Sequence, residues 1–441
     1  MKILIKNGKV LVPEGEYFKI ADADVSVEDK LIDGIYPHGT EEEGYDRIID
    51  ASDRLVMPGL INAHTHAYMS LFRNYADDLD FFDWLGKVQA AEDYLTPEDC
   101  YWGTMLSVIE MLKTGTTCFV DMNLSGAQNG AESGPEGACA GAVYDSGIRA
   151  YLSRGLVGEA DDEGSERRFR EFFKDMEIHK DHDRVNFIFG PHAPYSAAQS
   201  LLKKTREYAE EYNMGATVHI SESRAEMEQI GASYNGKTPV QYVAESGLFE
   251  VPTIAAHCVY ATEDDMDIFR KYGVSIAVNN KSNMKLGNGF APVEKFLEKG
   301  INICLGTDGS GSNNTQNMFQ EMNSAALVYK GSSVKAKCVD AADILRAATT
   351  GGAKALGMEG KLGVIKEGAI ADIILLDLNV PQFYPRNNII SGLVYAANGS
   401  EVRTVMVNGR LVMEEGKLLT IDAEKVYEQC ENIAVRVGMH G

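Results

Sequence analysis

Leu60-Ile61-Asn62-Ala63-His64-Thr65-His66 is an apolar run that stops on two histidines one residue apart. It opens a series of strand candidates: Gly59–Ala63, Thr116–Asp121, Ile148–Arg154, Val185–Gly190, Gly215–His219, Ile254–His257, Val274–Val278 and Ile301–Asp308. Short apolar, β-branched runs bounded by turn residues read as buried strands. Amphipathic stretches separate them, the clearest opening at Thr96-Pro97-Glu98-Asp99 and running through Met105–Lys113 to Gly115. There Thr96 can cap a helix, Pro97 suits its first turn, Asp99 favours the positive end of its dipole and Gly115 stops it. Strands alternating with helices demand a parallel sheet, and eight such units closing on themselves form a (β/α)8 TIM barrel of the α/β class, expected here over residues 58–358.

The two ends follow another pattern. Residues 1–57 hold short alternating strands, Ile3–Val12 and Ala23–Val27, broken by Gly- or Asp-rich turns. Residues 359–441 contain Ile370–Leu376, then Val402–Val407 and Arg410–Met413 joined by Asn408-Gly409, a two-residue hairpin signal. Two β-rich ends flanking one barrel are expected to pair into a small β-sandwich domain built from both termini.

The chain has 441 residues, 44% hydrophobic and 24% charged, with 12 prolines, which allows a large core and excludes a disordered or fibrous protein. No run approaches the ~18 to 20 uninterrupted apolar residues of a membrane span. Met1-Lys2-Ile3-Leu4-Ile5-Lys6 interrupts its apolar residues with lysine, and a cytoplasmic location is the expectation. Lys and Arg number 42 against 65 Asp and Glu, a net charge of −23 that repels a phosphate backbone or an anionic membrane. A small ligand, uncharged or locally clamped, fits better. The 7 cysteines are scattered without a Cys-x-x-Cys pair and read as reduced thiols.

Five of the 9 histidines, His64, His66, His192, His219 and His257, fall at or just after an apolar run. Side chains alternate along an extended segment, so His64 and His66 project to one side and bracket a metal. His219 after Ala216-Thr217-Val218, His257 after Ile254-Ala255-Ala256 and Asp308 after Ile303–Thr307 offer further ligands, because the C-terminal strand ends of a barrel converge on one face. Imidazoles with a carboxylate suit Zn²⁺ or Fe²⁺ better than Mg²⁺ or Ca²⁺. One divalent transition metal is expected, zinc before iron. Such an ion draws the pKa of a bound water towards ~7. Glu222, just past His219, stands where it can pass a proton from that water to a leaving nitrogen.

Together with Gly190-Pro191-His192-Ala193-Pro194-Tyr195-Ser196, Val218-His219-Ile220-Ser221-Glu222, Ser282-Asn283-Met284-Lys285-Leu286-Gly287 and Gly306-Thr307-Asp308-Gly309, these motifs resemble the amidohydrolase superfamily, in its adenosine-deaminase-like mononuclear branch. The resemblance covers essentially the whole chain. It implies a metal held by His64, His66, His219 and Asp308, with Glu222, His257 and Asp308 as catalytic residues. Binuclear relatives carry a carbamylated lysine at the end of strand four. Here Phe187-Ile188-Phe189-Gly190 has none, which implies a single ion.

Within that branch the chain is similar to the 5′-methylthioadenosine/S-adenosylhomocysteine deaminase group. That implies hydrolysis of one or both nucleosides to the inosine analogue and ammonia, with a small-molecule nucleoside as partner and neither nucleic acid nor membrane. A homo-oligomer stays compatible with this reading. Phe82-Asp83-Trp84-Leu85 and Glu92-Asp93 resemble the group's loop after strand one, Trp84 bordering the site and Glu92 accepting from ribose hydroxyls. Arg154 with Arg167 resembles the pair that clamps the homocysteine carboxylate, Arg168 being an equal candidate for the second place. His192 and Glu222 are expected at the substrate as well. The segment Val278-Asn279-Asn280-Lys281 departs from the usual His-Asn-Pro.

The rival is deamination or dechlorination of another ring, such as guanine, 8-oxoguanine or an s-triazine. A catalytically silent scaffold is the reading outside enzymology, and the retained ligands count against it. Gly309-Ser310-Gly311-Ser312 reads as a plain loop, since no Gly-Lys-Ser/Thr follows. Tyr94, Tyr101 and Trp102 read as core.

Overall fold

The computed structural model describes residues 1–124 and 139–439, and the chain divides into two compact units. One unit comprises residues 1–62, 109–118 and 317–421, the other residues 63–108, 119–316 and 422–441. This division differs from the boundaries at 57/58 and 358/359, which mark where strand–helix alternation starts and stops rather than where contacts are densest.

In the first unit, strands from both chain ends share one nine-stranded sheet. Its spine is Ile373–Asp377 beside Arg54–Pro58, antiparallel with Ile374 opposite Met57, and Arg54–Pro58 beside Lys2–Glu14, parallel with Val10 opposite Val56. Strands of the two chain ends thus pair with one another within a single sheet. Ile3, Leu4 and Ile5 are all fully buried, so both faces of this strand are covered. Asn408-Gly409 forms the hairpin read from the sequence. Their φ values of 53° and 74° are the left-handed pair a type I′ turn requires, and Val407 faces Arg410 across it.

The parallel strands fall close to the positions read from the pattern. Leu60–Thr65, Thr116–Asn123, Arg149–Leu156 and Gly190–Pro191 lie in one sheet, with Val185–Phe187 paired to the third of these. Ala216–Ile220, Thr253–His257, Ser275–Val278 and Ile303–Leu305 form the other. Backbone hydrogen bonds bridge both seams: Thr217 N donates to Phe189 O at 2.7 Å, and Asp308 N to His64 O at 3.0 Å. These α/β strands are buried along nearly their whole length, as a parallel sheet covered on both faces must be.

The helix Pro97–Lys113 starts as its sequence demands. Thr96 Oγ1 accepts from Asp99 N at 3.2 Å while Asp99 Oδ2 accepts from Thr96 N at 2.7 Å, a reciprocal cap. Nearby aromatics are a correction: Tyr94 is 68% exposed, and Tyr101 and Trp102 are only half-buried, because they sit on the helix's outer side and the turn before it. All seven cysteines are free and buried. No helix among the described residues is long and apolar enough to cross a membrane.

Candidate active site

His64 and His66 stand at the end of the strand Leu60–Thr65, His219 in Ala216–Ile220, His257 at the end of Thr253–His257, and Asp308 three residues past Ile303–Leu305. One ligand atom from each of His64, His66, His219 and Asp308 falls within 4.8 Å of the others, and all four residues are buried. Asp308 Oδ1 lies 3.6 Å from His64 Nε2 and 3.3 Å from His66 Nε2. Its other oxygen accepts from Ser282 Oγ at 2.6 Å and Ser312 Oγ at 2.7 Å, which aims Oδ1 at the imidazoles.

The donor set fits a metal ion. His66 Nδ1 lies 2.6 Å from Met122 O, and His219 Nδ1 lies 2.8 Å from His192 O. A carbonyl only accepts, so both Nδ1 atoms carry the proton and both Nε2 atoms present lone pairs. Those Nε2 atoms are 3.1 Å apart, a separation at which two lone pairs repel unless a cation joins them. Both nitrogens of His64 are buried without a hydrogen-bond partner. Burial pushes His64 down to about 4 and His219 well below the usual imidazole range, so both rings stay neutral, the form that ligates. For Asp308, burial works against ionisation, but the imidazoles of His64, His66 and His257 around it prevail and hold it well below the usual carboxylate range.

Glu222 lies beside this centre, just before the helix Arg224–Ser233. Glu226 fixes its backbone by accepting from Ser221 N at 3.1 Å and Glu222 N at 2.7 Å, and Ser221 is held at a φ of 52°. The Glu222 side chain accepts from Asn288 Nδ2 at 3.1 Å and stands 3.7 Å from His257 Nδ1. Burial, reinforced by the charges of Asp308 and Glu226, raises its pKa well above the carboxylate range, so it can hold a proton at neutral pH. His257 Nδ1 donates to Asn283 Oδ1 at 2.9 Å, and its left-handed φ of 73° stores strain of the kind found at functional sites.

The remaining candidates form a second group. Trp84 is buried in the helix Phe81–Glu92 and donates from Nε1 to Gly311 O at 3.0 Å. Lys285 Nζ donates to the same carbonyl at 3.1 Å and pairs with Asp77 at 2.6 Å. The segment read as a plain loop is thus a short buried helix, Ser310–Asn313, that anchors Trp84 through Gly311 and Asp308 through Ser312. Glu92 is buried and accepts from the Tyr68 hydroxyl, and burial pushes it up to about 7. His192 Nδ1 lies 2.7 Å from Ser196 Oγ, with its ring 5.0 Å from His219 and 5.6 Å from Tyr195.

The arginines separate. Arg154 grips one oxygen of Glu171 through Nε at 2.9 Å and NH2 at 2.8 Å, and Arg167 Nε lies 3.7 Å from the other oxygen. Arg168 is the buried one, donating to the carbonyls of Gly155 and Leu124, and burial lowers its pKa to about 9. Tyr68, Glu226 and Asn288 carried no sequence signal for these roles. Ser282, Asn283 and Lys285 lay within a motif already singled out.

The Amidohydrolase family profile matches residues 55–412. A 5-methylthioadenosine/S-adenosylhomocysteine deaminase of Caldanaerobacter subterraneus subsp. tengcongensis is 42% identical over 448 residues, covering 98% of each chain. One from Thermococcus sibiricus is 43% identical over 416 residues, covering 94% of each. Among solved structures, an adenosine deaminase from Xanthomonas campestris with bound zinc superposes with a TM-score of 0.90 at 29% identity, covering 99% of each chain.

Proposed function

The chain belongs to the amidohydrolase family, and from that premise we propose that it is a hydrolytic deaminase of 5′-substituted adenosines, converting 5′-methylthioadenosine, S-adenosylhomocysteine or both to the inosine analogue and ammonia. The observation that carries this is identity of 42% along nearly the whole length to a deaminase of that name, joined to a centre of three imidazoles and one carboxylate. Support for one zinc ion comes from the His64, His66, His219 and Asp308 donor set and from the zinc-bound neighbour. When bound, the ion supplies Lewis-acid activation of water.

The chain's own residues do the rest. Glu222, held by Asn288 and with its proton affinity raised by burial, passes one proton of the attacking water to the purine ring nitrogen, and the water's second proton goes to the departing amino group. One C–N bond breaks, one C–O bond forms, and ammonia leaves. His257, fixed by Asn283, orients the water. Asp308, aimed by Ser282 and Ser312, serves as both ligand and proton acceptor. Trp84 and His192 border the base, Glu92 accepts from the ribose, and Arg154 with Arg168 takes the homocysteine carboxylate. Arg168 replaces Arg167 as the inner member of that pair on the strength of its burial.

The parallel strands of residues 58–358, bridged at both seams, fit a closed (β/α)8 barrel, and the sheet of residues 1–57 and 359–441 fits a terminal β-domain. Free, buried cysteines are compatible with a reducing, cytoplasmic setting.

Ammonia release from a panel of methylthioadenosine, adenosylhomocysteine, adenosine, 5′-deoxyadenosine, guanine and 8-oxoguanine tests the reading. The highest kcat/KM is expected for one of the first two. Turnover confined to the free bases would replace it.

A further inference from the structure

A ligating imidazole gives one nitrogen to the ion, and the other must carry a proton that needs an acceptor. His66 and His219 have theirs in the carbonyls of Met122 and His192. His64 has none: Nδ1 and Nε2 are both buried and unpartnered. With Nε2 on the side facing Asp308, Nδ1 is the atom in want of a partner.

The end of the seventh parallel strand holds the complement. Asn279 follows Ser275–Val278, is fully buried, and has neither its carboxamide oxygen nor its nitrogen hydrogen-bonded. A buried amide left so is as costly as a buried imidazole N–H, and the two orphans are neighbours. Strand eight runs between them, Gly306 N donating to Val278 O at 3.1 Å and Asp308 N to His64 O at 3.0 Å. At Gly306 a β-carbon would collide with Asn279 Oδ1 and would come within 2.8 Å of His64 O and 2.9 Å of His64 Cβ. Gly306 is not among the glycines with positive φ, so space and not backbone conformation demands glycine here. The Asn279 oxygen reaches across this bare position to the root of the His64 side chain.

We propose that Asn279 is the positioning residue of His64, its carboxamide oxygen accepting from Nδ1–H directly or through one buried water. This fixes the tautomer that leaves Nε2 for the ion, as the two carbonyls do for His66 and His219. Gly306 is the gap that lets the carboxamide through. The inference rests on the metal centre described above and concerns how tightly that centre holds its ion.

The test uses the metal-loaded protein and two substitutions. Asn279→Leu keeps the volume and removes the acceptor, whereas Asn279→Asp keeps an acceptor. Chelator competition should show zinc affinity falling by ~10–100-fold in Asn279→Leu and retained in Asn279→Asp, the range typical for loss of such outer partners. In the zinc-loaded protein, the ring N–H resonance of His64 should persist with Asp and vanish with Leu. Melting of the metal-free forms checks that folded chains are compared, and Asn279→Ala serves if the leucine variant does not fold. Wild-type zinc affinity in the folded Leu or Ala variant would overturn the proposal, as would equal weakening by Asp and Leu. A wild-type protein that retains no metal would overturn the metal centre and this inference with it, a result distinct from a variant that matches a zinc-loaded wild type.

Discussion

On the metal side of the site, each proposed ligand stands within or just past a parallel strand, whereas on the other side Arg154 lies in a strand and His192 follows one, but Trp84, Glu92, Arg167 and Arg168 come from helices. The two sides also differ in charge. Around the metal position one carboxylate, Asp308, faces three imidazoles, while on the other side Arg154 and Arg167 pair with Glu171 and Arg168 lies buried beside them. Strands tied on both flanks by backbone hydrogen bonds hold atoms to the tolerance that bond-making chemistry needs. Helices set beyond the strand ends can change length and tilt, which suits them to decide what is bound rather than what is done to it. A protein of charge −23 also needs a local cation cluster before it can attract a carboxylate at all.

If that division is right, damage on the two sides should read out differently. The largest effect belongs to Glu222. Glu222→Gln should keep its metal and lose turnover by ~10²–10⁴-fold for every substrate, and His257→Asn should behave similarly. Metal analysis alongside kcat settles it, and an active, metal-loaded Glu222→Gln enzyme would remove the carboxylate from the chemistry.

Next comes Arg168→Met, which should raise KM for adenosylhomocysteine relative to methylthioadenosine by the equivalent of ~1.5–3 kcal/mol, the worth of a hydrogen bond to a charged group. Arg167→Met, at the more exposed position, should discriminate less. Steady-state kinetics on both nucleosides decides, and a larger effect at Arg167 would reverse the ranking that burial gives. Equal loss on both substrates would make the arginines structural, holding Glu171.

The smallest effect is expected where the two sides touch. Trp84→Phe removes the hydrogen bond to Gly311 and should cost ~0.5–1.5 kcal/mol in kcat/KM for both nucleosides alike. Lys285→Met, which removes the second donor to that carbonyl and the pair with Asp77, should have a similar, substrate-independent effect. A strong preference for one nucleoside in either variant would show that the helix Ser310–Asn313 selects substrate instead of bracing the site.

Legibility in the sequence followed the same divide. The apolar pattern places a strand at Gly59–Ala63 where the structure has Leu60–Thr65, and one at Ile254–His257 where it has Thr253–His257. Such runs declare themselves because a doubly covered strand must be apolar throughout, so its polar end marks where it leaves the core. Tyr94 misled because aromatic character alone does not bury a residue that falls in the turn before a helix. Gly309–Ser312 misled because small residues serve as readily in a buried helix packed against Trp84 as in an exposed loop. The choice between Arg167 and Arg168 lay beyond the sequence, since adjacent helical positions differ by about 100° in direction and only the neighbouring strands decide which points inward.

By itself the sequence determined the alternation of strands and helices, the proposed ligand types and the proposed proton-transfer carboxylate, because each is local: a polar residue at the end of an apolar run, or a carboxylate three residues past a histidine. Tertiary structure decided which imidazole nitrogen has an acceptor, that Ser282 and Ser312 aim Asp308, that Gly306 leaves room for Asn279 beside His64, and that Arg168 is buried. These are relations between atoms far apart in the chain, and hydrogen bonding and excluded volume act on distance in space, which no spacing in the sequence encodes.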